Sequence, residues 1–201
     1  MFRFPLAVAL LLAVGLSACV TVTPNTLSPQ EAADLKVVGL EVVVPPEARI
    51  DWSSAEDDYL RDRKLSQTDP ALTATPEARA HLRSLATARL KAKLVRVLAE
   101  RPPGTRPVRL VATVLLIDIP SAARRIVIGG YPTITAHIDV IDARTGAQLT
   151  TYRGAVGRKY AGQGVGGVLG DALLQSMGAD DLFDRAAEDY AEGFGNWLAH
   201  R

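Results

Sequence analysis

The chain has 201 residues, with 23 basic and 22 acidic side chains, three histidines and a single cysteine, and 48% of its residues are apolar. Near-neutral charge argues against nucleic acid or a polyanionic surface as a general partner, and one cysteine rules out an internal disulfide. A chain of this length and apolar content can fold as one domain that buries about 70% of its unfolded surface.

The sequence opens MFRFPLAVALLLAVGLSAC. One cation, Arg3, precedes an apolar run from Pro5 to Val14 and then small residues. This is the pattern of a secretory signal peptide, too short for a spanning helix, which needs about 20 apolar residues. Leu16, Ser17, Ala18 and Cys19 resemble a bacterial lipobox, in which cleavage precedes a cysteine whose thiol has been acylated. The resemblance implies that residues 1–18 are removed and that Cys19 carries a thioether-linked diacylglycerol and an amide-linked chain. It implies a soluble domain held to the membrane by more than the two signals stable anchoring takes. Val20 stands where many inner-membrane lipoproteins of Gram-negative bacteria carry aspartate, which favours the outer membrane with the domain facing the periplasm. Residues 19–34 read as the lipidated N-terminus and a linker, on the polar, proline-bearing run from Thr21 to Gln30, and residues 35–201 as a single domain.

Lys36 to Val44 reads as a strand by its β-branched content, ended by Pro45 and Pro46. Glu47 to Ala74 shows no sustained period beyond one short helix around Ser54 to Arg63, and is otherwise a long loop, functional or mobile. Thr75 caps a helix that starts on Pro76, with Glu77 near the positive end of its dipole. Leu82, Leu85, Ala86, Leu90, Leu94 and Val97 form its apolar stripe, and Pro102, Pro103 and Gly104 stop it after about six turns. Its other face carries Arg83, Arg89, Lys91, Lys93 and Arg96. That face is either solvated, with aliphatic stems covering the core edge, or a docking surface for an acidic partner or lipid headgroups.

VRLVATVLLI, residues 108–117, is apolar on both alternating sets, which predicts a central strand covered on two sides. Arg124, Arg125, Gly129 and Gly130 fall where the chain must bend or bulge. Ile134, Ala136, Ile138 and Val140 alternate with Thr133, Thr135, His137 and Asp139, a half-buried strand. Asp142 to Gly146 supply turn chemistry, and Gln148 to Val156 return as the partner strand of an antiparallel hairpin.

AGQGVGGVLGDALLQ, residues 161–175, contains Gly162-x-Gly164-x-x-Gly167, the spacing of a dinucleotide turn. The strand before it is the return arm of a hairpin, and the 34 residues after Gly167 read as helix throughout, carrying Asp184 and Glu188 on helix and not at a strand end, so no nucleotide is expected there. Gly162, Gly166 and Gly170 also recur every fourth residue, but Asp171 interrupts the apolar run too early for a membrane span. The segment reads as a flexible connector whose backbone passes close to the sheet or a partner. Leu182, Phe183, Ala186, Ala187, Tyr190, Phe194, Trp197 and Leu198 then lie on one helical stripe, core laid on the sheet, with Asp180, Asp181 and Asp184 at the positive end. Gly193 and Gly195 weaken its last turns and leave open an exchange with a partner groove.

His81, His137 and His200 do not pair at metal-ligand spacing, and no Gly-x-Ser-x-Gly elbow occurs. A Ser/His/Asp triad assembled in space stays open, though His137 beside Asp139 reads as a solvated strand residue. No catalytic set, metal site or cofactor is expected.

The segments PVRLVATVLLID, ARRIVIGGYP and DARTG, within roughly residues 105–160, resemble uncharacterised families of small bacterial lipoproteins that carry one α/β domain after the lipobox. The resemblance implies a small sheet with helices packed on it, similar to domains by which some envelope lipoproteins bind and regulate larger assemblies. It carries over no catalytic residues. The fold expected is α+β, an antiparallel sheet of about four strands with the long helix and the C-terminal helix packed on it. The function expected is that of an outer-membrane-anchored, non-enzymatic binding module in envelope assembly or maintenance, attached to the membrane by its lipid and meeting an envelope protein. Arg83, Lys91, Arg124, Arg125, Gly162, Gly166 and Gly170 are its candidate partner surface. The alternative is a periplasmic hydrolase or small-ligand-binding lipoprotein with His137 and the Glu47 to Ala74 loop near its site.

Overall fold

The computed structural model describes residues 23–66, 68–158, 164–176 and 181–201; the signal peptide, Cys19 and Gly162 lie outside the described residues. Leu35–Val43 (β1), Arg49–Trp52 (β2), Arg106–Ile119 (β3), Thr133–Asp142 (β4) and Gln148–Arg158 (β5) form one sheet in the order β1-β3-β4-β5, with β2 also against β3. The helices are Pro29–Ala33 (α1), Ser53–Asp62 (α2), Pro76–Ala99 (α3), Ala122–Val127 (α4), Gly164–Ser176 (α5) and Leu182–Leu198 (α6).

The fold class is α+β, as expected, but the sheet has five strands and is mixed. β3, β4 and β5 run antiparallel, whereas β1 and β2 both lie parallel to β3. Parallel neighbours need a long crossover, and α3 supplies it between the β1–β2 region and β3. β2 escapes the sequence pattern because RIDW is four residues long, too short to show alternation. The stretch from Glu47 to Ala74 is therefore mostly ordered: a strand, the expected helix and a 3₁₀ turn at Pro70–Leu72.

α3 starts where its sequence says it should, the Thr75 hydroxyl accepting the Ala78 N–H at 3.2 Å. It packs with α6 over one face of the sheet. On β3 that face buries Val108, Leu110, Ala112 and Val114, then Ile117 and Ile119 after a register shift between Val114 and Leu116. Arg109 and Leu115 stand exposed on the other face, so β3 is covered on one side and not on two. Bulged pairing and a central position, with β1 and β2 along one edge and β4 along the other, account for an apolar content that does not alternate cleanly.

α6 is the core helix its stripe predicts. Phe183 stacks on Trp52 with ring centroids 4.1 Å apart, and the buried Tyr190 hydroxyl donates to the Ala136 carbonyl at 3.0 Å. Burial pushes the Tyr190 hydroxyl well above its ordinary pKa and Tyr152 up to about 12. Gly193 and Gly195 are contact points and not weak spots for exchange. A Cβ on Gly195 would lie 2.5 Å from Val97 Cγ1, and one on Gly193 3.0 Å from the Tyr152 hydroxyl. The missing side chains let α6 approach α3 and β5 closely.

The segment read as a linker is, from Thr23 onward, laid along the outer edge of β5. The Thr23 N–H donates to the Arg153 carbonyl at 3.1 Å and the Thr26 hydroxyl to the Leu149 carbonyl at 3.4 Å. Trp197 Nε1 donates to the Thr23 carbonyl at 2.7 Å, and Asn25 Nδ2 to the Trp197 carbonyl at 3.2 Å. Its polar residues thus satisfy a sheet edge that would otherwise present open backbone groups. Ser28 and Glu31 then close a capping box on α1.

Candidate functional site

The residues singled out from the sequence fall in two places. Arg83 and Lys91 are on α3, where Arg83 donates to the Pro46 carbonyl at 3.0 Å and Lys91 is exposed. The cationic face around them is partly consumed inside the molecule. Arg89 reaches Asp181 and Asp184 at 2.6 Å each, and Arg96 reaches Glu188 at 2.7 Å, all on or capping α6. The Arg89 guanidinium lies 5.3 Å from the Trp52 ring centre and 5.1 Å from that of Phe183. Burial works against its charge, but the Asp184 and Asp181 carboxylates outweigh burial and hold its pKa above the ordinary value.

Arg124, Arg125, Gly166 and Gly170 come together at the other end, on α4 and α5, which pack on each other. Ser121 caps α4, accepting the Arg124 N–H at 3.1 Å. Arg124 forks onto both oxygens of Asp118, at 2.6 and 2.9 Å, and lies 3.4 Å from Asp51, which ties α4 to the ends of β3 and β2. The Asp118 hydrogen bonds raise the Arg124 pKa. Arg125 points the opposite way, is buried, and pairs with the buried Asp171 of α5; Arg185 of α6 reaches the same carboxylate at 3.1 Å. The bend expected at Gly129 and Gly130 follows, with φ of 84° and 134°.

The helix expected after Gly167 thus begins earlier, at Gly164, and runs to Ser176, taking in glycines read as a flexible connector. Two arginines gripping Asp171 offset four glycines, each of which costs helix propensity. Nor do the glycines bring the backbone against the sheet, because a Cβ on Gly166 or Gly170 would meet nothing within 4 Å. What this arrangement leaves outside is apolar. Val165, Leu169 and Leu173 are 59%, 64% and 62% exposed, and Val127 and Ile128 on the α4 side are 81% and 82% exposed. α5 therefore turns its one charged side chain inward and Val165, Leu169 and Leu173 outward, the reverse of a helix folded against a core in water. Sequence reading treated Asp171 as an interruption of an apolar run; its true partners are 46 residues before it and 14 after.

His137 lies on β4, paired with Thr113 of β3, while β2 and the elements after Glu47 lie along the opposite edge of β3. The central strand separates the two parts of the hydrolase reading. Among the described residues no group of three or more His, Cys, Asp or Glu side chains converges as a metal site. A cleft of about 490 Å³ between α1 and the ends of α3 and α6 is lined by Arg96, Arg101, Arg201, Glu100 and Glu192, and is remote in the fold from both His137 and α5.

Fold and site together define an α+β domain with a helix-covered mixed sheet and an apolar two-helix platform at one end. Among solved structures the chain is similar to one described as "a putative lipoprotein from Caulobacter crescentus CB15", at 14% identity and a TM-score of 0.37, over 86% of this chain and 92% of that one. No protein-family model matches the sequence, and comparison with curated proteins finds no match.

Proposed function

We propose that this protein is a lipoprotein anchored through Cys19 in the outer membrane and that it works there as a non-enzymatic binding module of the cell envelope. The lipobox-like Leu16-Ser17-Ala18-Cys19 and the residue Val20 support the address. The observation that carries a role at the membrane is α5, whose Val165, Leu169 and Leu173 are exposed, as are Val127 and Ile128 at the end of α4, which packs against it. Apolar patches of this kind on a folded domain mark sites of association. In this reading the domain faces the periplasm, and an envelope protein meets it on the α3 side, where Lys91 is exposed.

The test is mass spectrometry of the N-terminal peptide from separated membranes. A peptide that begins at Cys19 with diacylglycerol and a third acyl chain, enriched in the outer-membrane fraction, is the expected result. A bare thiol on a chain recovered in the soluble extract would overturn the proposal.

A further inference from the structure

We infer that the α4–α5 face lies on the lipid surface that holds the Cys19 anchor, with α5 in the plane of the interface; this rests on acylation of Cys19 as proposed above. The position of the tether is the first reason. Thr23 bonds to Arg153 and Thr26 to Leu149, so the N-terminal segment runs antiparallel to β5. The chain consequently enters Thr23 from the side of Arg153 that leads along β5 to Arg158. Cys19 lies four residues before Thr23 in the chain, a reach of at most about 14 Å. The acylated residue is confined to that radius around Thr23, whose neighbour Arg153 lies on β5, the strand that leads to α5. Thr133, the first residue of β4, pairs with Arg158, the last of β5, so α4 and α5 share this end of the sheet.

The chemistry of the face is the second reason. A helix of 13 residues is about 20 Å long, too short for a hydrocarbon core of about 30 Å. No described helix is long and apolar enough to cross a membrane. Lying in the interface is the remaining way for a membrane to cover Val165, Leu169 and Leu173. Because Asp171 is turned inward onto Arg125 and Arg185, α5 brings no charge to the boundary, and its attachment is apolar. A tether this short makes the contact intramolecular, so a weak apolar interaction suffices to keep it formed.

The acylated protein, with Leu169→Cys or Ile128→Cys carrying an environment-sensitive fluorophore, is reconstituted in phosphatidylethanolamine and phosphatidylglycerol vesicles containing doxyl-labelled lipid. Acylation blocks the natural thiol, so the label goes only to the new position; Lys91→Cys on α3 is the water-facing control. Blue-shifted emission and a loss of roughly half the intensity to doxyl lipid at 169 and 128, against less than about a tenth at 91, are expected. A label at 169 as wet as that at 91 overturns the inference, and so does one that is blue-shifted but unquenched, since protein and not lipid then covers the face. The mass of the Cys19 peptide from the same vesicles separates the two failures. With Cys19 acylated, a wet or unquenched label sinks this inference alone; a bare Cys19 on a chain that leaves the vesicles sinks the anchor and the inference together.

Discussion

α5 and α6 follow one another in the chain and obey opposite rules. α6 buries Phe183, Tyr190 and Phe194 and turns Asp184 and Glu188 to ion pairs with α3. α5 buries an aspartate and exposes valine and leucines. One is held by apolar area, at about 25 cal/mol per Å², and by close contact. The other is held by a carboxylate between two guanidiniums, a less forgiving arrangement because desolvation offsets much of the attraction. The contrast separates a helix that makes the fold from one that the fold presents.

Truncation should expose that contrast most strongly. Phe194→Ala is expected to cost about 3–5 kcal/mol in thermal or denaturant unfolding, whereas Leu169→Ala, at an exposed position, should stay within about 0.5 kcal/mol. Equal losses at the two positions would break the distinction. Next comes Asp171→Asn, which leaves Arg125 and Arg185 without their anion. About 3 kcal/mol should be lost locally, read by hydrogen exchange as faster amides in α5 while α6 keeps its protection.

Glycine substitutions should act with opposite sign. Gly195→Ala places a methyl group against Val97 and is expected to cost about 1–3 kcal/mol. Gly166→Ala and Gly170→Ala add a Cβ in open space and should each strengthen α5 by about 1 kcal/mol, visible as slower exchange. The smallest effect concerns the turn that joins β4 to β5. The Thr145 and Arg144 N–H groups and the Arg106 guanidinium bring the Asp142 pKa down to about 2, from 3.8. A carboxyl lowered in the folded state adds stability that is fully present above its unfolded pKa, and that stability is lost as pH falls through about 2. Asp142→Asn should flatten this acid limb; an unchanged slope in melts between pH 5 and pH 2 would remove Asp142 from the account.

Much of the scaffold was legible because periodicity and punctuation agreed. Thr75-Pro76, the Leu82 to Val97 stripe, the alternation from Thr133 to Asp139 and the DARTG turn each state a local rule that burial then enforces. Strand order was not legible, since parallel pairing of β1 and β2 with β3 depends on where α3 returns the chain. The candidate surface was half legible. Arg124, Arg125 and the glycines were noticed, but their logic hinges on Asp171 meeting Arg125 and Arg185, a long-range ion pair with no local signature. The helix after Gly167 was legible, whereas the glycines at its start lower propensity enough to read as a connector.

The bonds between Trp197 and residues 23 and 25 have a mechanical side. Any pull on the N-terminal segment is carried in shear along β5 and passes through the indole into the last turn of α6, where Trp197 lies 5.1 Å from the Tyr152 ring centre. Tension is thereby delivered to the core instead of peeling the edge strand away, and replacing the indole would remove one of the links that carry that load into α6.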